Sequence, residues 1–367
     1  MDHGTGSRPE RASAVDDSGI VLDGPDHGTG SLEDSSAVLA VEPIAVDAMG
    51  GDRAPAEIVT GARRAAEELQ IPVVLVGRPD EMGDTGGLEV IEAGEVIPMD
   101  AEPGSSVRNM KDSSLVRAAE AVRDGRAAAM VSAGNTGAAM GSALLRMGRI
   151  RGIARPAIAA PIPTPGSSPT TMLDAGANAE CRPEWLVQFA RMGSVYARDR
   201  FGVARPRVGL LSIGEEAGKG NDFTKSVFEL LADGGWATDV DAEWIGNVEG
   251  RDIMTPDVDV VVTDGFTGNV TLKALEGSLR ALFGRLMVAI DTDDTTRQAG
   301  RMLAGALGEM AEELHPDSVG GAVLLGVRGV CVISHGKSSA AAVMNAIGVA
   351  QEMVSAGMVD HIAAIAR

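Results

Sequence analysis

Lys219 is the one positive charge in a loop otherwise made of Gly214, Glu215, Glu216, Ala217, Gly218, Gly220 and Asn221. The loop follows an apolar run at 208–213 that reads as a buried strand. A glycine-rich turn past the carboxyl end of such a strand, carrying one ammonium, is suited to meeting an anion. It departs from a nucleotide P-loop, which spaces its first glycine four residues from a Gly-Lys pair and follows that pair with Ser or Thr. Here the spacing is shorter, Gly220 follows Lys219, and no hydroxyl is set for magnesium. Glu215 and Glu216 would also repel a triphosphate. Two readings stay open: a site for a smaller anion, or a solvated turn with a surface lysine.

Other polar loops carry candidate binding residues. Asp47, Gly50, Gly51 and Asp52 follow a short apolar run at 44–46, and the two aspartates suit orienting donors better than touching an anion directly. Ser132, Gly134, Asn135 and Thr136 follow the apolar run 128–132. A small turn opening a helix presents free N–H groups to an anion, or is simply tight enough for helix and strand to pack. Asn178 ends the run DAGAN. Asn269, in DGFTGN, has an amide that can hold a carbonyl or phosphate oxygen, or can cap the helix that follows. His335 is the histidine that follows a strand-like run into a loop, as a hydrogen-bonded structural residue or as an anion ligand and proton donor.

The elements that must position these residues alternate. Strands are predicted at 44–46, 73–76, 88–91, 128–132, 157–162, 171–173, 208–213, 243–245, 258–263 and 330–334. Helices are predicted at 55–70, from a cap at Asp112 to 122, to about 147, at 183–198, 222–231, from about 269, at 296–314, and after 337 to about 359. That alternation implies an α/β fold of three layers, α/β/α, with a sheet between two sets of helices. Because strand after strand ends in a small polar loop, the loops are expected to gather at one end of the sheet, around one crevice.

The formal charge of -20 excludes a general nucleic-acid or anionic-lipid binder unless a local basic patch exists, so no nucleic-acid partner is expected. Aromatic residues are 3% of the chain against 44% hydrophobic, so the core must be Ala, Val, Leu, Ile and Met. Cys181 and Cys331 match no metal spacing and no disulfide framework, which implies reduced thiols, a cytoplasmic location and no metal site. The N-terminal residues are polar and acidic, unlike a signal peptide. Residues 1–42, with DHGTGS repeated and acids opposed only by Arg8 and Arg11, are expected to be a disordered acidic tail before an α/β domain at 43–367.

The motifs VDAMGGD, KDSS, VSAGNTGA, LDAGAN, IGEEAGKGN, IGNVEGRDI, DGFTGNVTLK and SHGKSS occur in this order between Ile44 and about Met358. Together they resemble the bacterial phosphate acyltransferases of phospholipid synthesis. The resemblance implies a fold like isocitrate and isopropylmalate dehydrogenases and phosphotransacetylase, with a protruding helix pair at about 272–314. It implies transfer of a fatty acyl group from acyl carrier protein to inorganic phosphate. The acyl phosphate would go to a glycerol-3-phosphate acyltransferase. A homodimer in peripheral contact with the membrane, and no cofactor, are also implied. Arg53 stands where that family usually has His, and Lys337 replaces a common Ser.

Phosphate is already anionic, so it needs positioning and relief of charge more than deprotonation. Lys219 is the first choice for the catalytic charge and Asn269 the second, with no enzyme nucleophile required. An NAD-dependent dehydrogenase and a scaffold that merely binds acyl carrier protein are the competing readings. No G-x-G-x-x-G follows any predicted strand. In the second helix of the pair, Met302, Leu303, Ala306, Leu307 and Met310 make an apolar stripe, which packs on a partner subunit or touches a bilayer.

Overall fold

The computed structural model describes residues 42–314 and 316–366; the acidic tail expected at 1–42 lies outside them except for Glu42. The chain begins with β1 (Ile44–Asp47), α1 (Ala56–Glu68), β2 (Val73–Gly77), α2 (Pro79–Met82), β3 (Glu89–Glu92), α3 (Pro103–Asn109), α4 (Ser114–Arg123), β4 (Ala129–Ser132) and α5 (Thr136–Ser142). Then come β5 (Ala157–Ile162), β6 (Thr170–Leu173), α6 (Pro183–Phe201), β7 (Arg207–Leu211), α7 (Asp222–Ala232), α8 (Gly235–Asp239), β8 (Glu243–Val248) and β9 (Val260–Val262). The last elements are α9 (Gly265–Ile290), α10 (Asp294–Glu313), β10 (Ala322–Leu325), β11 (Val330–Ile333), α11 (Ala340–Ser355) and α12 (Met358–Ile365).

All strands join one 11-stranded sheet in the order β3-β2-β1-β4-β11-β10-β5-β6-β9-β7-β8. The central strands are buried along their whole length, as strands covered on both faces must be. Alternate residues serve opposite layers. Val46 and Leu75 pack in the cluster that holds Ile58 of α1 and Val343 and Ile347 of α11, while Ala45, Val74 and Val76 join Leu115 and Val116 of α4 on the other face. Each fully buried Leu or Ile side chain stabilises this arrangement by about 1.5–3 kcal/mol. The core is aliphatic as composition required, with Phe189 and Tyr196 among the few large aromatic side chains fully inside it. Helices α1 and α11 approach so closely that a Cβ on Gly61 would lie 2.6 Å from the Ala340 carbonyl oxygen and from Val343 Cβ.

The sheet is mixed, and this overturns the expectation of one loop-bearing edge. Strand β11 runs parallel to β4, but β10 is antiparallel to β11, β5 to β10, and β6 to β5. Strands β6, β9, β7 and β8 are then parallel to one another. Three reversals leave β6, β7 and β9 pointing opposite to β1, β4 and β11. Their loops therefore leave opposite edges of the sheet. Strand β10 was not predicted from sequence, and it supplies two of those reversals. Nor does Asp112 cap α4. Ser113 holds the N-cap position, and the Asp112 carboxylate accepts from the Gly94 amide at 2.9 Å and pairs with Arg117 at 2.8 Å.

Helices α9 and α10 form the long pair expected from sequence. No residue of α10 is buried, and its end is set by a capping box in which Asp293 and Thr296 exchange hydrogen bonds. No single described helix is long and apolar enough to cross a membrane.

Candidate active site

At the first edge, the loops after β1, β4 and β11 converge on backbone. A Cβ on Gly50 would stand 2.8 Å from the Gly134 amide nitrogen, and one on Gly51 would meet the Ala133 and Gly336 carbonyl oxygens at 3.1 Å each. Gly51 has φ +111, which glycine adopts without strain. The Asp52 amide donates to the Gly336 carbonyl at 2.7 Å, and the Asp52 side chain is exposed beside that loop.

Beneath them Asp47 is wholly buried. It accepts from Ser132 Oγ at 2.6 Å, and Ser132 Oγ accepts in turn from the Gly134 amide at 3.0 Å. Burial pushes the Asp47 carboxyl up, against the opposing hydrogen bonds of Ser114 and Ser132. Asp47 and Ser132 thus tie the first two loops together from below. Asn135 is likewise engaged by protein. Its Oδ1 accepts from the Ala138 amide at 2.9 Å, and its Nδ2 donates to the carbonyls of Met99 at 2.8 Å and Ala101 at 3.1 Å. Thr136 is exposed at the start of α5.

At the second edge, Asp174 after β6 is an organising residue that the sequence reading passed over in favour of Asn178. It is 0% exposed. Its Oδ1 accepts from the amides of Ile158 at 3.0 Å, Gly176 at 3.1 Å and Ala177 at 2.9 Å. Its Oδ2 accepts from the Asn178 amide at 2.7 Å and from Asn178 Nδ2 at 2.9 Å. Asn178 Nδ2 also donates to the Pro156 carbonyl at 2.8 Å. Asn178 therefore clasps the loop through its Nδ2. The clasped loop seats α9: the Gly265 amide donates to the Asn178 carbonyl at 2.8 Å, and a Cβ on Gly268 would collide with the Asp174 carbonyl oxygen at 2.0 Å.

Asp264 caps α9, accepting from the Thr267 amide at 2.8 Å. Asn269 is therefore not the cap. It lies within the helix, exposed, with its side chain against Gly176 and no hydrogen bond to any described residue. Strand β7 is hydrogen-bonded to β9 with Leu210 opposite Val262, so the Lys219 loop leaves the sheet beside the start of α9. The Lys219 side chain is 50% exposed and its Nζ is 3.9 Å from Glu216, a loose ion pair. Arg251 pairs with Glu215 at 3.0 Å and so offsets one of the loop's acids. A loosely paired ammonium on the loop after β7 and an unengaged amide on the helix after β9 can hold an anion and polarise a carbonyl.

Helix α9 joins the two edges. Asn269, Lys273 and Glu276 fall at i, i+4 and i+7 on one face, about 10 Å end to end. Glu276 Oε1 lies 3.4 Å from His335 Nε2, and Lys273 Nζ lies 2.9 Å from the same carboxylate. Burial opposes the Glu276 charge, but the hydrogen bonds from His335 and Lys273 outweigh it and hold the carboxyl at about 2. Sequence reasoning stopped at Asn269 and missed Lys273 and Glu276. The helical spacing of three polar residues in a leucine-rich helix was the available signal.

The family described as "Fatty acid synthesis protein" matches residues 43–361. The phosphate acyltransferase of Elusimicrobium minutum is 47% identical over 330 residues, covering 87% of this chain and 94% of that protein. That of Pelotomaculum thermopropionicum is 47% identical over 326 residues, covering 87% and 93%. Among solved structures, a branched-chain phosphotransacylase from Enterococcus faecalis superimposes with TM-score 0.57 at 16% identity, covering 85% of this chain and 99% of that one. A phosphotransacetylase from Streptococcus pyogenes gives 0.55 at 16% identity, covering 85% and 94%. These two carry the fold alone, and they bear out the phosphotransacetylase-like architecture expected from the motifs. With the near-complete match to curated relatives, the chain belongs to the phosphate acyltransferase family of fatty acid synthesis proteins.

Proposed function

We propose that the chain transfers a fatty acyl group from acyl carrier protein to inorganic phosphate by direct attack of phosphate on the thioester carbonyl, with no covalent acyl-enzyme. The observation that carries this reading is Lys219, half-exposed on the glycine loop after β7, the strand paired with β9, from which α9 and its unengaged Asn269 amide follow. The ammonium offsets the charge of phosphate and of the tetrahedral intermediate, and the amide holds the carbonyl oxygen. Holding the two reactants in line supplies about 7–11 kcal/mol of barrier reduction.

The state of the two thiols supports attack without a cysteine nucleophile. Burial, with the carboxylates of Asp174 and Asp264 nearby, pushes the Cys181 thiol up to about 11, and burial pushes Cys331 up to about 12. Neither is a thiolate at neutral pH. The two described histidines face carboxylates, His335 against Glu276 and His361 against Asp199, and neither ring bonds a serine. In this reading the exposed edge formed by the loops of Asp52, Thr136 and His335 receives the carrier arm or the leaving thiol. The chain works in the cytoplasm as a homodimer in peripheral contact with the membrane and supplies a glycerol-3-phosphate acyltransferase.

Thiol release from an acyl carrier protein thioester, measured with and without phosphate, tests the proposal. Release that depends on phosphate is expected. Release at the same rate without phosphate, or none with it, would overturn it.

A further inference from the structure

The Glu216 carbonyl accepts two hydrogen bonds of 2.9 Å, one from the Lys219 amide and one from Asn247 Nδ2. Asn247 belongs to β8, in register with Leu210 of β7, and is 5% exposed. A buried side chain on the neighbouring strand thus grips the same atom that turns the chain toward Lys219.

Packing alone would not select that grip. Asn247 Oδ1 and Ser212 Oγ are both buried without a hydrogen-bond partner among the described residues. Ser212 stands at the foot of the same loop, 3.3 Å from where a Cβ on Gly220 would be. Unpaired buried polar atoms destabilise a fold, and an apolar side chain of similar size avoids the penalty. A local rule broken beneath a functional loop marks a requirement of function.

The rest of the loop needs such an anchor. Gly214 lies so close to Lys219 that a Cβ there would be 2.8 Å from Lys219 Cγ, and Gly220 has φ +98. Glycine lets the chain fold this tightly but does not hold it there. At 3.9 Å the Glu216 carboxylate is a weak tether for the ammonium.

We infer that Asn247 is a positioning residue for Lys219, acting through the shared Glu216 carbonyl. This rests on the reading of Lys219 as the group that meets phosphate. Asn247 touches no substrate; it sets where the ammonium stands.

Asn247→Leu keeps the number and branching of the side-chain heavy atoms in a somewhat larger group, and removes both the grip and the unpaired oxygen. Phosphate-dependent thiol release is expected to fall about ten- to a hundredfold, the scale of a small misplacement of a catalytic group. The melting temperature should hold or rise, and trypsin should cut faster after Lys219. In a Lys219→Ala background the same substitution should slow the reaction no further. Asn247→Asp, which keeps the shape and loses the donor, gives a second cycle should the leucine variant melt early. A wild-type rate in both single variants, or a loss that multiplies with that of Lys219→Ala, overturns the assignment of Asn247 alone. A wild-type rate in Lys219→Ala overturns the reading of the site and this assignment with it.

Discussion

His335 and Glu276 meet at 3.4 Å although they leave different elements, the loop after β11 and the middle of α9. The contact holds the helix against the first edge of the sheet, and it gives stability a pH dependence of known sign. The Glu276 carboxyl sits at about 2, below its ordinary 4.5, so the unfolded chain binds the proton first as pH falls. Its contribution is complete above the unfolded value and is lost as pH drops through the folded one. Urea midpoints of wild type and Glu276→Gln, compared from about pH 7 to about pH 3, should converge toward the acid end. A gap that stays constant with pH would show that the carboxylate charge does not stabilise the fold.

Lys219→Ala should lower turnover by about a hundredfold or more, the scale of deleting one fixed donor at a developing charge. The side chain is half-exposed and its ion pair is loose, so the melting temperature should not move. Steady-state thiol release and a thermal melt on the same sample check both halves. Near wild-type turnover would remove Lys219 from the mechanism.

Asp174→Ala should be far more costly to the fold. It leaves four backbone amides and the Asn178 side chain without their shared acceptor. Hydrogen bonds to a charged acceptor contribute about 1.5–3 kcal/mol each, and a loss of about 3 kcal/mol or more in urea unfolding is expected. Activity should fall as well, because the clasped loop seats α9 and with it Asn269. A loss under about 1 kcal/mol would mean that the loop holds its shape without the carboxylate.

The helix pair makes its own prediction. Met302 is 82% exposed, Leu303 54%, Leu282 66%, and Met287 and Val288 59% each, so apolar surface faces outward on both helices. Asp291 and Asp293, between them, and Asp294, the first residue of α10, disfavour anionic lipid. Binding to vesicles is therefore expected to be weak and apolar in origin. Replacing Met302 and Leu303 by Glu should reduce co-sedimentation with vesicles while light scattering still reports the dimer proposed above. Dissociation into monomers would assign the stripe to a subunit interface instead.

Most strands were legible because each is a short apolar run closed by a Gly, Asn or Asp loop, as 208–213 and 258–263 show. Strand direction was not. Nothing in AVLL of β10 says that it runs against β11, and that strand helps send the Lys219 loop and the His335 loop to opposite edges. Local pattern also could not separate an unengaged amide from one held by protein. Asn135, Asn178 and Asn269 all follow small residues in polar loops, yet two are held by protein and one is free. The partners of Glu276 were hidden for a similar reason: Lys273 is local, but His335 is reached only through the tertiary fold.

Direct attack by phosphate is tested most sharply in a single turnover, with enzyme in excess over acyl carrier protein thioester. Without phosphate, no thiol should appear and the intact mass of the protein should stay unchanged. With phosphate, thiol should appear together with an equal amount of acyl phosphate, trapped by hydroxylamine as the hydroxamate. A burst of thiol before phosphate is added, with a matching gain of one acyl group in the protein's mass, would contradict direct attack and require an acyl-enzyme.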